Sequence, residues 1–184
     1  MDKKRKKVGL ALGSGGVRGL AHVGVVRSLE KNNIPIDFIA GSSIGAWIGA
    51  HYALFKDVEK LKKDSIGDKR KKLGAFLDPT LRGGIINGNK ITNYLKEFFD
   101  DKDFADLQIP LKVIATGLIA VDQVIFYEGK IVPAVRASMT FPTIFKPLMI
   151  DKMALVDVGS ECVKRNVSFA VLFRAGDFGS AESS

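Results

Sequence analysis

Phe38-Ile-Ala-Gly-Ser-Ser-Ile-Gly-Ala-Trp47 decides how the rest of this 184-residue chain reads. A short apolar run meets Gly41-Ser-Ser-Ile-Gly45 and passes directly into a helix-like pattern that lasts to about Phe55. Strand, abrupt turn and helix in that order put Ser43 at the apex of a G-x-S-x-G elbow. The flanking glycines, Gly41 and Gly45, suit such a turn because a Cβ at either position would crowd it. The helix that follows aims free N–H groups and a partial positive charge back at the serine, which favours negative charge developing there. Alone, the motif reads first as a glycine-rich turn without chemistry, so its neighbours must decide.

Working outward, Val8-Gly-Leu-Ala-Leu12 reads as a buried strand running into Gly13-Ser-Gly-Gly-Val-Arg-Gly19. A helix from about Val17 to Lys31 follows, with Leu20, Val23, Val26 and Leu29 as its apolar stripe. Asn32-Asn33 closes it, Pro35 prevents its continuation, and Ile36 to Ala40 forms the second strand. This βαβα order predicts an α/β fold with a mainly parallel central sheet flanked by helices. Downstream, Asp57 to Lys72 is charged and helical, broken near Ser65-Ile-Gly-Asp68, and Phe76 to Gly88 is a loop. A helix over Asn89 to Phe99 precedes a strand from Leu111 to Ala120, with Val124 to Tyr127 pairing to it as a hairpin. Glu128-Gly-Lys130 turns into a helix from Ile131 to Met139, stopped by Pro142. Leu148 to Ile150 and Met153 to Val156 are two short strands turning at Asp151-Lys152, the second delivering Asp157 at its end.

Length and composition bound the rest. One domain, residues 8–184, follows a basic arm over residues 1–7, and the chain is long enough to bury a core unaided. The single Cys162 excludes an intramolecular disulfide and fits a reducing, cytoplasmic setting. The net charge of +8 gathers in Lys3-Lys-Arg-Lys-Lys7 and between Lys60 and Lys72. Such charge suits the inner, anionic face of a membrane. Nucleic acid is excluded as the partner, for want of a zinc pattern, a recognition helix or a basic strand interleaved with aromatics. Phe38 to Phe55 carries no formal charge, but its three glycines and internal turn read as buried strand and helix rather than a membrane span.

Three features converge on chemistry. Gly13–Gly19 follows the first strand, Ser43 the second, and Asp157 the last; in doubly wound sheets such positions gather beyond the carboxyl ends of strands. The glycine loop fails as a dinucleotide fingerprint, since Arg18 or Ser14 occupies a required glycine, and it has no Gly-Lys-Ser/Thr for a phosphate loop. It leaves the backbone N–H groups of Gly15, Gly16 and Val17 to line an oxyanion hole. His22 lies within the first helix and His51 two turns beyond Ser43, so both are expected to be packed or surface side chains rather than a triad base. A hydrolase built on Ser43 would then use Asp157 as its proton acceptor.

Gly13-Ser-Gly-Gly-Val-Arg-Gly-Leu-Ala-His-Val-Gly24, Gly41-Ser-Ser-Ile-Gly45, and Ala134-Val-Arg-Ala-Ser138 with Pro142 and Phe145-Lys-Pro147 resemble the patatin-like phospholipase family, in its branch related to neuropathy target esterase. The resemblance runs from Val8 to Asp157. It implies a three-layer α/β/α fold, acyl-ester hydrolysis by a Ser–Asp dyad without metal or cofactor, and phospholipid-like substrates in lipid metabolism. Carried over, Ser43 is the nucleophile, Asp157 the base, and Gly15, Gly16 and Val17, with Arg18, the oxyanion loop. The family's D-G-G/A is here Asp157-Val158-Gly159, and the stretch from about residue 158 reads as divergent or truncated, which would leave a sheet edge unpaired. That departure supplies the alternative: a catalytically impaired relative that binds lipid or a partner without turnover.

Overall fold

β1 (Val8–Leu12) and β2 (Phe38–Ser42) lie side by side and parallel, Leu12 opposite Gly41, and β3 (Leu111–Gly117) continues the parallel pairing with Gly41 opposite Val113. These belong to a computed structural model that describes residues 5–66, 88–117, 123–140, 148–150, 153–156 and 170–174. Antiparallel strands extend the parallel centre: β4 (Gln123–Phe126) on β3, β6 (Met153–Val156) on the far end of β3, β5 (Leu148–Ile150) on β6, and β7 (Ala170–Arg174) on β1. The order across the sheet is β5-β6-β3-β2-β1-β7.

Alternation sets the faces of the sheet. Leu10, Leu12, Ile39, Leu111 and Val113 are buried and in register, forming one apolar stripe across three strands. Against it packs α2 (Ile44–Phe55), whose residues from Ile44 to Ala53 are all buried. A helix apolar all round belongs in the middle of a protein. Around it stand α1 (Ala21–Lys31), α3 (Val58–Ile66), α4 (Gly88–Phe99) and α5 (Ile131–Ser138). Asp57 starts α3, its carboxylate accepting from the Lys60 amide at 2.8 Å. Pro133 sits in the first turn of α5, where no intrahelical N–H is needed.

Several boundaries differ from the sequence reading. The second strand runs over 38–42 rather than 36–40, because the Asp37 amide still bonds the Val8 carbonyl at 2.8 Å and ladder pairing carries to Ser42 against Ile114. The helix expected from Val17 begins as a 3-10 turn over Gly16–Leu20 and becomes α-helical only at Ala21. The sheet edge expected to be bare is filled by β7, which pairs Ala170–Arg174 with all of β1. The breaker after Ile66, the loop from Phe76, the end of the strand at Ala120, Pro142 and Cys162 lie outside the described residues.

The start of the basic arm lies outside the described residues, but Arg5 is docked. Its guanidinium grips Asp37 with two hydrogen bonds, one of 2.7 Å, and Asp37 also accepts from the Val8 amide at 2.6 Å. The Arg5 hydrogen bond holds the Asp37 carboxyl below its usual range. Among the described residues no helix is long and apolar enough to cross a membrane, and Phe38–Phe55 is β2 and α2.

Candidate functional site

The site is built where β1 and β2 leave the sheet. β2 pairs as far as Ser42 and α2 starts at Ile44, so one residue must reverse the chain. Ser43 does so at φ 55°, ψ −124°. A non-glycine residue in such a conformation costs on the order of 1–3 kcal/mol and persists only where its surroundings fix it. The Ser43 carbonyl accepts from the amides of Ala46 at 3.0 Å and Trp47 at 3.2 Å, so the turn is capped on its helical side. Ser43 is 4% exposed, a buried position rather than a surface one.

Glycines let the two junctions touch. A Cβ on Gly45 would stand 2.1 Å from the Leu12 carbonyl oxygen and 2.8 Å from that of Gly13, and one on Gly41 would stand 2.6 Å from the Gly45 carbonyl oxygen. Backbone therefore lies against backbone. The glycine loop curls through Gly15 at φ 154° and Gly16 at φ 55°, and the Arg18 amide closes it onto the Gly15 carbonyl at 3.1 Å. Gly16 and Val17 open the 3-10 turn, the position where N–H groups have no intrahelical acceptor. Arg18 thus differs from the other three oxyanion candidates in that its amide closes the loop itself.

The histidines have structural partners. His22 is buried with its Nε2 at 2.9 Å from the Gly13 carbonyl, and because a carbonyl only accepts, Nε2 carries the proton. Burial lowers the His22 pKa, partly offset by that hydrogen bond. His51 lies on the far side of α2, donating from Nε2 to Asp64 at 2.9 Å, while Lys60 reaches the same carboxylate at 3.0 Å. Burial lowers the His51 pKa as well; Asp64 is pushed up by burial, but bonds from His51 and Lys60 outweigh this and hold it low.

Ser138, at the end of α5, was not singled out by sequence. Its Oγ accepts the Ser43 amide at 2.7 Å and donates to the Ile114 carbonyl at 2.6 Å. The two serines are 95 positions apart, so no local pattern announces the pair. The one hint is that Ser138 falls within the Ala134–Ser138 stretch that carries the resemblance.

Asp157 lies outside the described residues. β6, which precedes it, runs antiparallel to β3 and not parallel with β1 and β2, correcting the idea of three like-directed strand ends. Among the described residues β6 nevertheless meets β3 at Thr116 and Gly117, so Val156 stands beside the carboxyl end of β3, where β2 gives way to Ser43.

These features define an α/β protein with a strained serine on a strand-to-helix elbow beside a glycine-rich turn. The family model for patatin-like phospholipases matches residues 10–172, and the chain belongs to that family. An uncharacterised NTE family protein of Mycobacterium tuberculosis is 34% identical over 154 residues, covering 83% of this chain and 42% of its own length. Lysophospholipase NTE1 of Pyricularia oryzae is 34% identical over 158 residues, 84% of this chain and 10% of that protein. Human patatin-like phospholipase domain-containing protein 6 is 32% identical over 146 residues, 77% of this chain and 10% of that protein. The chain thus spans less than half the length of these relatives. Among solved structures, VipD from Legionella pneumophila superposes with a TM-score of 0.67 at 14% identity, over 86% of this chain and 50% of that one. That likeness is one of fold, the three-layer α/β/α arrangement.

Proposed function

We propose that the chain is a serine acyl hydrolase acting on phospholipids, lysophospholipids or simple carboxyl esters. The observation that carries this is the backbone of Ser43, strained at φ 55° and buried, next to a glycine turn whose first amides stand where the helix itself offers no acceptor. Strain of that kind on a non-glycine residue is a reason to look for chemistry at its side chain. Ser43 Oγ attacks the acyl carbonyl and gives its proton to Asp157, while the amides of Gly15, Gly16 and Val17 receive the oxyanion and Arg18 closes the turn behind them. Each well-aimed donor of this type contributes about 3 kcal/mol. The tetrahedral intermediate collapses, the leaving alcohol takes the proton from Asp157, and an acyl-Ser43 ester remains. Asp157 then takes a proton from water, the hydroxide attacks the ester, and as the second tetrahedral intermediate collapses Asp157 returns that proton to the leaving Ser43 oxygen, releasing carboxylic acid and regenerating the hydroxyl. Family membership supports lipid esters as the substrate class. The basic residues near the start of the chain and along α3 suit an anionic lipid surface.

The second reading, a relative that binds lipid or a partner without turnover, is favoured by Val158 beside the proposed base and by the divergent sequence that follows it. A fluorophosphonate probe separates the two. On the first reading it labels Ser43, and Ser43→Ala abolishes both labelling and p-nitrophenyl ester hydrolysis. Folded protein that neither labels nor turns over ester overturns it and leaves the second.

A further inference from the structure

We infer that Ser138 is a positioning residue for the nucleophile, a hydroxyl that replaces the missing rung of the sheet ladder just where the elbow begins. This rests on the reading of Ser43 as nucleophile and extends it to a residue on a distant helix.

β2 and β3 pair in parallel with Ser42 opposite Ile114. One residue later the chain has turned out of the sheet plane, so the Ser43 amide is past the ladder and before the helix. Neither repeating structure offers it an acceptor, and Ser43 is 4% exposed, so water does not serve either. A buried amide left in that state is costly. On the other strand the Ile114 carbonyl is likewise met by a side chain. The Ser138 hydroxyl answers both, accepting from the Ser43 amide at 2.7 Å and donating to the Ile114 carbonyl at 2.6 Å. Both contacts have the short, directed geometry of good hydrogen bonds. Ser138 is completely buried, so its rotamer is fixed by packing.

The job needs one atom that accepts and donates at once, in the volume of a hydroxymethyl group. Alanine does neither, and a thiol does both weakly. Without the bridge, the backbone hydrogen bonds that Ser43 keeps among the described residues are those on its carbonyl side, from Ala46 and Trp47. The φ that aims Oγ at substrate then loses its restraint on the amide side. Ser138 touches no reacting atom; it acts through the backbone of the residue that does. Misplacing a reacting group by about 1 Å is worth roughly a hundredfold in rate.

The test compares wild type with Ser138→Ala and Ser138→Cys, the latter close to serine in size. The readout is the rate of Ser43 labelling by a fluorophosphonate per folded molecule, with kcat and KM on a p-nitrophenyl ester. Positioning predicts a labelling rate and kcat lower by about tenfold to a hundredfold in the alanine variant and by less in the cysteine variant, with KM within about twofold. A purely structural role would lower the folded fraction and leave the rate per folded molecule unchanged, and that result in the folded variants overturns the inference. If the alanine variant does not fold, the cysteine variant decides alone: slower labelling per molecule supports the inference, and an unchanged rate overturns it. Wild-type protein that fails to label overturns the hydrolase reading and this inference together, whereas labelled wild type with equally fast variants overturns only this one.

Discussion

The two strand-to-helix junctions, after β1 and after β2, make the same topological turn by opposite means. After β1 the chain uses glycines where φ is positive, Gly15 and Gly16, so the turn is relaxed and its amides stay uncrowded. After β2 the positive φ falls on Ser43, and the glycines stand to either side to let the backbone close in. The first junction spends its glycines on conformation and the second on space. A turn meant to present backbone donors needs no side chain at its apex, and one meant to present a side chain must accept strain there.

The contrast is sharpest where the junctions touch. Gly45→Ala drives a Cβ into the carbonyls of Leu12 and Gly13, rigid backbone that cannot yield without parting β1 from α2. We expect the largest effect here, a loss of about 3 kcal/mol or more by urea denaturation, together with loss of Ser43 labelling. Gly19→Ala puts its Cβ 2.2 Å from Ile44 Cγ2, a side-chain atom. This variant should lose about 1–3 kcal/mol. Pairing it with Ile44→Leu, which lacks that branch methyl, should restore at least about 1 kcal/mol as a double-mutant coupling. Absence of coupling would mean that the strain is relieved elsewhere and the two junctions are less closely matched than their distances state.

The smallest effect concerns the tether of the first junction. Burial holds the His22 pKa below its ordinary 6.5, so between those two values the unfolded chain binds more protons than the folded one. The stabilisation from His22 is complete above about pH 6.5 and is lost as pH falls through that window toward the folded pKa, by at most about 1.4 kcal/mol per pH unit. His51 contributes with the same sign. In thermal melts between pH 8 and 5, His22→Gln should show a shallower decline than wild type; an equal slope would show that His22 does not titrate on unfolding.

Much of this was legible in the order of residues. The elbow announced itself because Gly41, Ser43 and Gly45 are neighbours, and the α/β class because strand and helix periodicities alternate from Val8 to Phe55. Both are local signals. What escaped was non-local. β7 was missed because Ala170–Arg174 is a short apolar run whose partner lies at the other end of the chain. The turn between β5 and β6 was legible, but that β6 lands antiparallel on β3 cannot be read from either strand alone. The start of the first helix was misjudged because its apolar stripe says nothing of hydrogen-bond pitch, and Gly16 and Gly19 allow a tighter turn. Ser138 was invisible for the same reason that it matters: its two partners belong to different strands.

The seating of Gly45 against the carbonyls of Leu12 and Gly13 has one more implication. Loosening either junction dislodges its counterpart, so the fold does not offer a half-assembled site. Damage anywhere along that seam should therefore take durability and competence away together.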